Sequence, residues 1–158
     1  MRVGLTKRRG ACQERGAVTR RSNKSAHSRV RADHASEIAE DYVEAIAAIL
    51  VEKEICRVID LAREFQVSHV TVNRTISRLQ RDEFVTTTPY GPIELTPKGR
   101  RLAQASRRRH EIVLRFLKAL GVSDATAIQD SEGIEHHVSG ETLQAMEQFA
   151  AKRLGSGE

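Results

Sequence analysis

Leu61-Ala62-Arg63-Glu64-Phe65-Gln66-Val67-Ser68-His69-Val70-Thr71-Val72-Asn73-Arg74-Thr75-Ile76-Ser77-Arg78-Leu79 is the stretch that decides the fold. It reads as part of two short helices, Ile59 to Phe65 and His69 to Arg81, parted by Gln66, Val67 and Ser68. Ser68 is placed to cap the second, because a serine hydroxyl accepts from the first free amides of a helix. At helical spacing Val72, Ile76 and Leu79 turn inward with Val67, and His69, Val70, Thr71, Asn73, Arg74 and Arg78 stay outside. A recognition helix needs that division: one apolar face to anchor it and a polar face near its N-terminus to enter the major groove.

Reading outward from this pair, Phe84 to Thr88 is largely β-branched, Pro89-Tyr90-Gly91-Pro92 is turn chemistry, and Ile93 to Leu95 can return antiparallel as a two-stranded wing. On the other side, Ile38, Tyr42, Ala45, Ile46, Ile49 and Leu50 form one stripe of a first helix over residues 36–53. Thr96-Pro97 is an N-cap followed by proline at the first helical position, opening a long helix to Leu120 with Gly121 as its stop. Ser123 can cap a segment to about His137, Ser139 a last helix to about Arg153, and Gly155-Ser156-Gly157 is expected to fray.

The fold class is therefore mostly α, with an N-terminal winged helix-turn-helix over 36–99, joined by the long helix to a second helical domain over 100–154. Composition agrees. Of 158 residues 39% are hydrophobic and 4% aromatic, with no Trp, which suits helices filled with Ala, Ile, Leu and Val. No apolar run approaches the ~20 residues of a bilayer span, and the basic N-terminus lacks the apolar core of a secretory signal, so a soluble cytoplasmic protein with no membrane partner is expected. Cys12 and Cys56 are too few and too isolated for a disulfide scaffold or a zinc knuckle and read as free thiols.

The net charge of +5 is unevenly spread. Residues 1–33 hold ten Lys and Arg against Glu14 and Asp33, a balance of +8 that leaves −3 for the rest. With few large apolar residues and no period, 1–35 reads as a disordered basic arm. Within the folded part, His69, Val70, Thr71 and Arg74 are candidates for base edges, since Arg pairs bidentately with guanine and Val or the Thr methyl can touch a thymine methyl. The Ser68 hydroxyl, Asn73 on the same outer face, Arg78, Tyr90 in the wing tip and Lys98 complete the DNA-binding set, the last three as phosphate contacts. The competing reading is a winged helix used for protein interaction, with solvated arginines.

A second cluster has chelating spacing. Asp41 and Glu44 lie at i and i+3 of the first helix, and Glu132, Glu135 and His136 lie at i, i+3 and i+4 of a later one. His110 sits mid-way along the long helix, after Arg107, Arg108 and Arg109. Four carboxylates brought together would raise one another's pKa unless cations compensate, and two divalent ions would balance them. With two imidazoles and no thiolate the set suits manganese(II) or iron(II) and is a poor match to structural zinc. Taken separately, each pair also reads as solvated charge on an amphipathic helix, and His110 as a packing histidine. His137 points away from Glu132 and Glu135 in an ideal helix and is left out.

Asp41-Tyr42-Val43-Glu44, Leu95-Thr96-Pro97-Lys98-Gly99, Arg109-His110-Glu111 and Glu132-Gly133-Ile134-Glu135-His136-His137 together resemble the manganese-responsive branch of the diphtheria toxin repressor family, from about residue 36 to 150. The resemblance implies a winged helix linked to a dimerisation domain, with divalent metal at the junction favouring operator binding. It implies Asp41, Glu44, His110, Glu132, Glu135 and His136 as ligands. In the iron-responsive relatives the position of Asp41 is typically Met and that of Glu132 typically Cys, so this chain resembles the manganese branch. The basic extension departs from the family pattern, and the resemblance to the shorter manganese branch implies no SH3-like domain of the kind the longer iron regulators carry.

The function implied is a homodimeric regulator, activated by Mn2+ at two positions per subunit, that binds a roughly palindromic double-stranded operator and represses manganese uptake genes. Fe2+ as the effector is the alternative within the family. A winged-helix regulator sensing an organic ligand independently of metal is another. A di-metal carboxylate enzyme is the rival from a different class; it would require the paired Glu-x-x-His pattern that this chain lacks.

Overall fold

The structure, a computed structural model, describes residues 15–154 and the side chains of residues 33–153. Six helices and a two-stranded sheet follow in the order α1 (Arg15–Lys53), α2 (Val58–Glu64), α3 (His69–Arg81), β1 (Val85–Thr87), β2 (Ile93–Leu95), α4 (Pro97–Ala119), α5 (Asp124–Ile134) and α6 (Gly140–Leu154) among the described residues. No helix among them is long and apolar enough to cross a membrane.

Local chemistry explains most of the boundaries. The Ser68 hydroxyl accepts from the Thr71 amide at 3.2 Å to start α3, and the Thr96 hydroxyl accepts from the Gly99 amide at 3.0 Å to start α4, with Pro97 following it. Ends are equally specific. The amides of Val67, Phe84 and Val122 each reach back five residues, to Ala62, Leu79 and Leu117, while Gln66, Glu83 and Gly121 before them take φ of 53°, 61° and 92°. This is the left-handed stop in which the next apolar residue folds back on the helix. Val67 and Phe84 accordingly pack on the N-terminal core and Val122 on the C-terminal one.

The wing pairs Val85 with Leu95 and Thr87 with Ile93 in antiparallel register. The Ile93 amide also donates to the Cys56 carbonyl at 2.8 Å, so the segment before α2 adds a bridge to the same strand. Gln80 Nε2 donates to the Thr87 carbonyl at 3.1 Å and ties the wing to α3.

Two cores result. The first gathers Val43, Ile46, Leu61, Val72, Leu79, Val85 and Ile93, all fully buried; each such side chain contributes on the order of 1.5–3 kcal/mol. The second joins Val113 and Leu117 of α4 to Ala127 of α5, with Leu143 and Met146 of α6 packed against them.

Three departures from the sequence reading stand out. The first helix starts at Arg15 and not near residue 36, so the backbone of 15–35 is helical where disorder was expected. No proline interrupts it, and extending an existing helix through Arg, Ala, Ser and Lys costs little once a nucleus exists. The expected disorder of residues 1–14 and the fraying of 155–157 lie outside the described residues. The inward stripe of α1 keeps the expected Tyr42, Ile46 and Ile49, with Ile38, Ala45 and Leu50 packed half-buried against the core, and adds Ala39 and the fully buried Val43; Tyr42 stacks on Phe65 of the next segment with ring centroids 4.3 Å apart. Finally, α5 ends at Ile134 and not at His137; Glu135 keeps helical angles as its cap, and His136 and His137 form a turn closed by the His137 amide on the Ile134 carbonyl at 3.0 Å.

Candidate functional site

Three elements deliver acids and imidazoles to one place. On α1, Asp41 and Glu44 bracket the buried Tyr42 and Val43, so their carboxylates leave the core at its edge. On α4, Ser106 and Val113 are buried and His110 falls between them at i+4 and i−3. On α5, Ala127 and Ser131 mark the buried stripe, and the next residue at i+4 is Glu135, whose side chain is only 4% exposed. Asp41, Glu44, His110, Glu132, Glu135 and His136 all line a cavity of about 650 Å³.

Inside it the imidazoles are engaged by carboxylates. His110 Nδ1 lies 2.9 Å from Glu135 Oε2 and 3.6 Å from Glu132 Oε1. His136 Nε2 lies 3.3 Å from Asp41 Oδ1 and 3.5 Å from Glu135 Oε1, and its Nδ1 is 3.0 Å from Glu40 Oε2. With the histidines so paired, no three His, Cys, Asp or Glu among the described residues stand in a ready metal-holding arrangement.

The electrostatics are those of a site with surplus negative charge. Burial, reinforced by the Glu132, Glu40 and Glu37 carboxylates, raises the Asp41 pKa against the pull of His136. Burial likewise raises Glu135, with Glu44 and Glu132 adding to it and His110 and His136 opposing. For His136 burial acts downward, but the hydrogen bond to Glu40 and the charges of Asp41 and Glu135 win and raise it. A divalent cation is the complement of such a set: hard oxygen donors, two imidazoles and acids that resist ionising together. The residues present fit one in kind and number.

Sequence reasoning missed Glu40 and Arg109. Glu40 burial alone would raise its pKa, yet the hydrogen bonds and charges of Arg109 and His136 hold it below the ordinary value. The available signal was an acid lodged beside Ala39 in an inward stripe. His137, set aside from the sequence, lines the same cavity, with Nδ1 3.6 Å from Glu37 Oε1 of α1.

The nucleic-acid candidates belong to α3 and its cap, the wing turn and the start of α4. Ser68, His69, Val70, Thr71, Asn73 and Arg74 are exposed at the start of α3, with the Ser68 and Thr71 hydroxyls 3.0 Å apart. His69 and Asn73 share a groove of about 840 Å³ with Thr88, Pro89, Tyr90 and Gly91 of the wing. Arg74 lies with Val70, Asn73 and Arg81 along the outer face of α3. Arg78 is half-buried. Lys98 is turned to the protein: its Nζ donates to the Asp82 carbonyl at 2.8 Å and lies 4.6 Å from the Phe84 ring centre.

Residues 34–93 match the iron dependent repressor N-terminal DNA binding domain, and residues 96–153 the iron dependent repressor metal binding and dimerisation domain. The chain is 43% identical over 129 residues to the transcriptional regulator MntR of Salmonella typhimurium, covering 82% of each chain. It is 41% identical over 139 residues to the MntR of Escherichia coli O157:H7, covering 85% of this chain and 90% of that one. Among solved structures, the manganese regulator SloR has a TM-score of 0.62 at 25% identity, over 70% of this chain and 52% of that chain. A manganese-dependent transcriptional repressor in complex with manganese has a TM-score of 0.63 at 27% identity, over 72% and 52%. The chain thus spans about half the length of those two solved proteins. With both domains matched in succession and relatives above 40% identity over most of their length, the chain belongs to the iron dependent repressor family of transcriptional regulators.

Proposed function

We propose that the chain is a manganese(II)-responsive, DNA-binding transcriptional regulator that works in the cytoplasm as a homodimer and represses manganese uptake genes when the metal is plentiful. The observation that carries this reading is the meeting of Asp41, Glu44, His110, Glu132, Glu135 and His136 around one cavity. These six residues hold the metal, two ions per subunit by charge balance with the four carboxylates. Bound divalent metal supplies the positive charge that lets those carboxylates ionise side by side. The sulfur-free lining of carboxylates and imidazoles suits manganese(II) and iron(II) alike, and the similarity to MntR regulators supports manganese as the effector.

The residues themselves explain how the site can bear on DNA. The inner face of α1 belongs to the core that seats α3 and the wing, and its acidic edge faces His110 of α4 and Glu135 at the end of α5. Holding that edge restricts where residues 36–99 sit relative to 100–154, and so the spacing of the two recognition helices in a dimer on a palindromic operator. Only a difference in affinity between the DNA-competent arrangement and the others shifts that equilibrium; by linkage, operator DNA tightens metal binding by the same factor. His69, Val70, Thr71 and Arg74 read base edges; Ser68, Asn73, Arg78 and Tyr90 position the backbone, joined by Lys98 once its Nζ leaves the Asp82 carbonyl.

The test is operator binding by mobility shift, with and without Mn2+ and, anaerobically, Fe2+, in wild type, Glu132→Ala and His136→Ala. Wild type is expected to bind only with metal and both variants to lose that response. Equal, metal-independent binding by all three overturns the proposal, and a preference for Fe2+ reassigns the effector.

A further inference from the structure

Behind the cavity lies a buried carboxylate that does not line it. Glu40 of α1 is 8% exposed, its Oε2 sits 3.0 Å from His136 Nδ1, and the same oxygen is paired with the Arg109 guanidinium of α4. Arg109 Nε is buried without a hydrogen-bond partner among the described residues, so the ion pair with Glu40 is the contact that accommodates this charge.

The two nitrogens of the His136 ring thus face different surroundings. Nδ1 meets Glu40, whereas Nε2 points at Asp41 Oδ1 at 3.3 Å and Glu135 Oε1 at 3.5 Å, inside the cavity. A carboxylate at one ring nitrogen keeps the proton there, leaves the lone pair on the other and makes it a better donor. Among the described residues the carboxylates paired with His110 are Glu135 and Glu132, both at Nδ1 and both lining the cavity themselves.

We infer that Glu40, pinned by Arg109, is a positioning residue for the metal centre, holding His136 with Nε2 presented to the ion and joining α1, α4 and the turn after α5 through one carboxylate. The inference rests on the metal-centre reading above and adds residues to it that bind no metal. Arg109 acts through Glu40, and Glu40 through His136.

The experiment is a Mn2+ titration of the full chain followed by the spin-resonance signal of free Mn2+, with thermal unfolding of each metal-free variant. Glu40→Ala is expected to weaken Mn2+ binding about 10–100-fold. Glu40→Gln, which keeps an acceptor for the Nδ1 proton, recovers most of the affinity. In a His136→Ala background the Glu40→Ala loss disappears, which a merely structural role would not produce. Should Glu40→Ala leave Arg109 so exposed to an unpaired burial that the chain does not fold, Glu40→Ala with Arg109→Met removes both charges and carries the same expectation. Wild-type affinity in Glu40→Ala, or an undiminished loss in the His136→Ala background, overturns the inference while leaving the metal centre standing. No Mn2+ uptake by wild type, or uptake unaffected by His136→Ala, overturns the metal-centre reading and the inference with it.

Discussion

His110 Nδ1 on α4 and Glu135 Oε2 at the end of α5 lie 2.9 Å apart, and the carboxylate in that contact is almost wholly buried. A buried acid whose pKa is raised by its burial and by neighbouring acids is a poor stabiliser of the fold and a good ligand in waiting. Glu135→Gln keeps a hydrogen-bonding group for His110 and removes the charge. The metal-free variant is expected to melt at or above the wild-type temperature. At Mn2+ about a hundredfold above Kd, wild type gains about 2.7 kcal/mol and the variant far less. Thermal unfolding with and without Mn2+ checks both halves.

Stability of the metal-free protein should depend on pH through His136. Its folded pKa lies above the ordinary 6.5 because the Glu40 hydrogen bond and the Asp41 and Glu135 charges outweigh burial. The protonated ring therefore stabilises the fold fully below pH 6.5, and that contribution is lost as pH rises through the raised value. Glu40, held below its ordinary 4.5 against burial by Arg109 and His136, contributes above 4.5 and fades on acidification through its depressed value. Asp41 and Glu135, both raised, work in the opposite direction to Glu40 and favour the fold as they protonate. Melting temperatures across the window just above pH 6.5 should fall in wild type and stay flatter in His136→Gln.

Gly99 permits α4 to leave the wing at close range. A Cβ at this position would stand 2.0 Å from the Phe84 carbonyl oxygen, a backbone atom that cannot swing aside. Gly99→Ala should cost about 1–3 kcal/mol, as overpacking does, although alanine is the better helix former. Urea unfolding monitored by circular dichroism would show it as a lower midpoint.

For DNA recognition, Arg74 is exposed on the outer face of α3 beside Val70 and Asn73. Arg74→Ala should reduce discrimination between operator and random DNA by about 1–3 kcal/mol. The ratio of the two dissociation constants, at fixed salt and saturating Mn2+, measures this; an unchanged ratio removes Arg74 from the reading set.

Cys56 is fully buried, and burial together with Asp60 pushes its thiol up to about 11, Lys53 opposing. In a Cys12→Ser chain, alkylation by iodoacetamide at pH 8 should run on the order of 100-fold slower folded than in urea, since the thiolate is the nucleophile. Rapid labelling of the folded chain would show that this bridge beside β2 opens readily.

Much of the architecture could be read residue by residue. Ser68, Thr96-Pro97 and Gly121 mark helix ends through hydrogen bonds spanning three to five residues, and Val72, Ile76 and Leu79 mark a face through a fixed turn angle. Such signals are local, so their geometry is the same in any protein that contains them. The wing followed from a β-branched run and a Pro-Gly turn for the same reason. Where the local signal was weak, the reading slipped: nothing in 15–35 forbids a helix, and nothing in Glu135-His136-His137 announces that α5 has already ended.

The six acids and imidazoles could be nominated from spacing and resemblance, but their sharing of a cavity depends on how α1 meets α4 and α5. The pairing of Glu40 was invisible for that reason. Its partners Arg109 and His136 lie 69 and 96 residues away, and an isolated Glu beside Asp41 carries no mark of either. Helix periodicity and capping are properties of a few neighbouring residues and survive in the bare string of letters. Which buried charge finds which partner depends on desolvation and distance, and those quantities exist once the cores around Val43 and Val113 have packed.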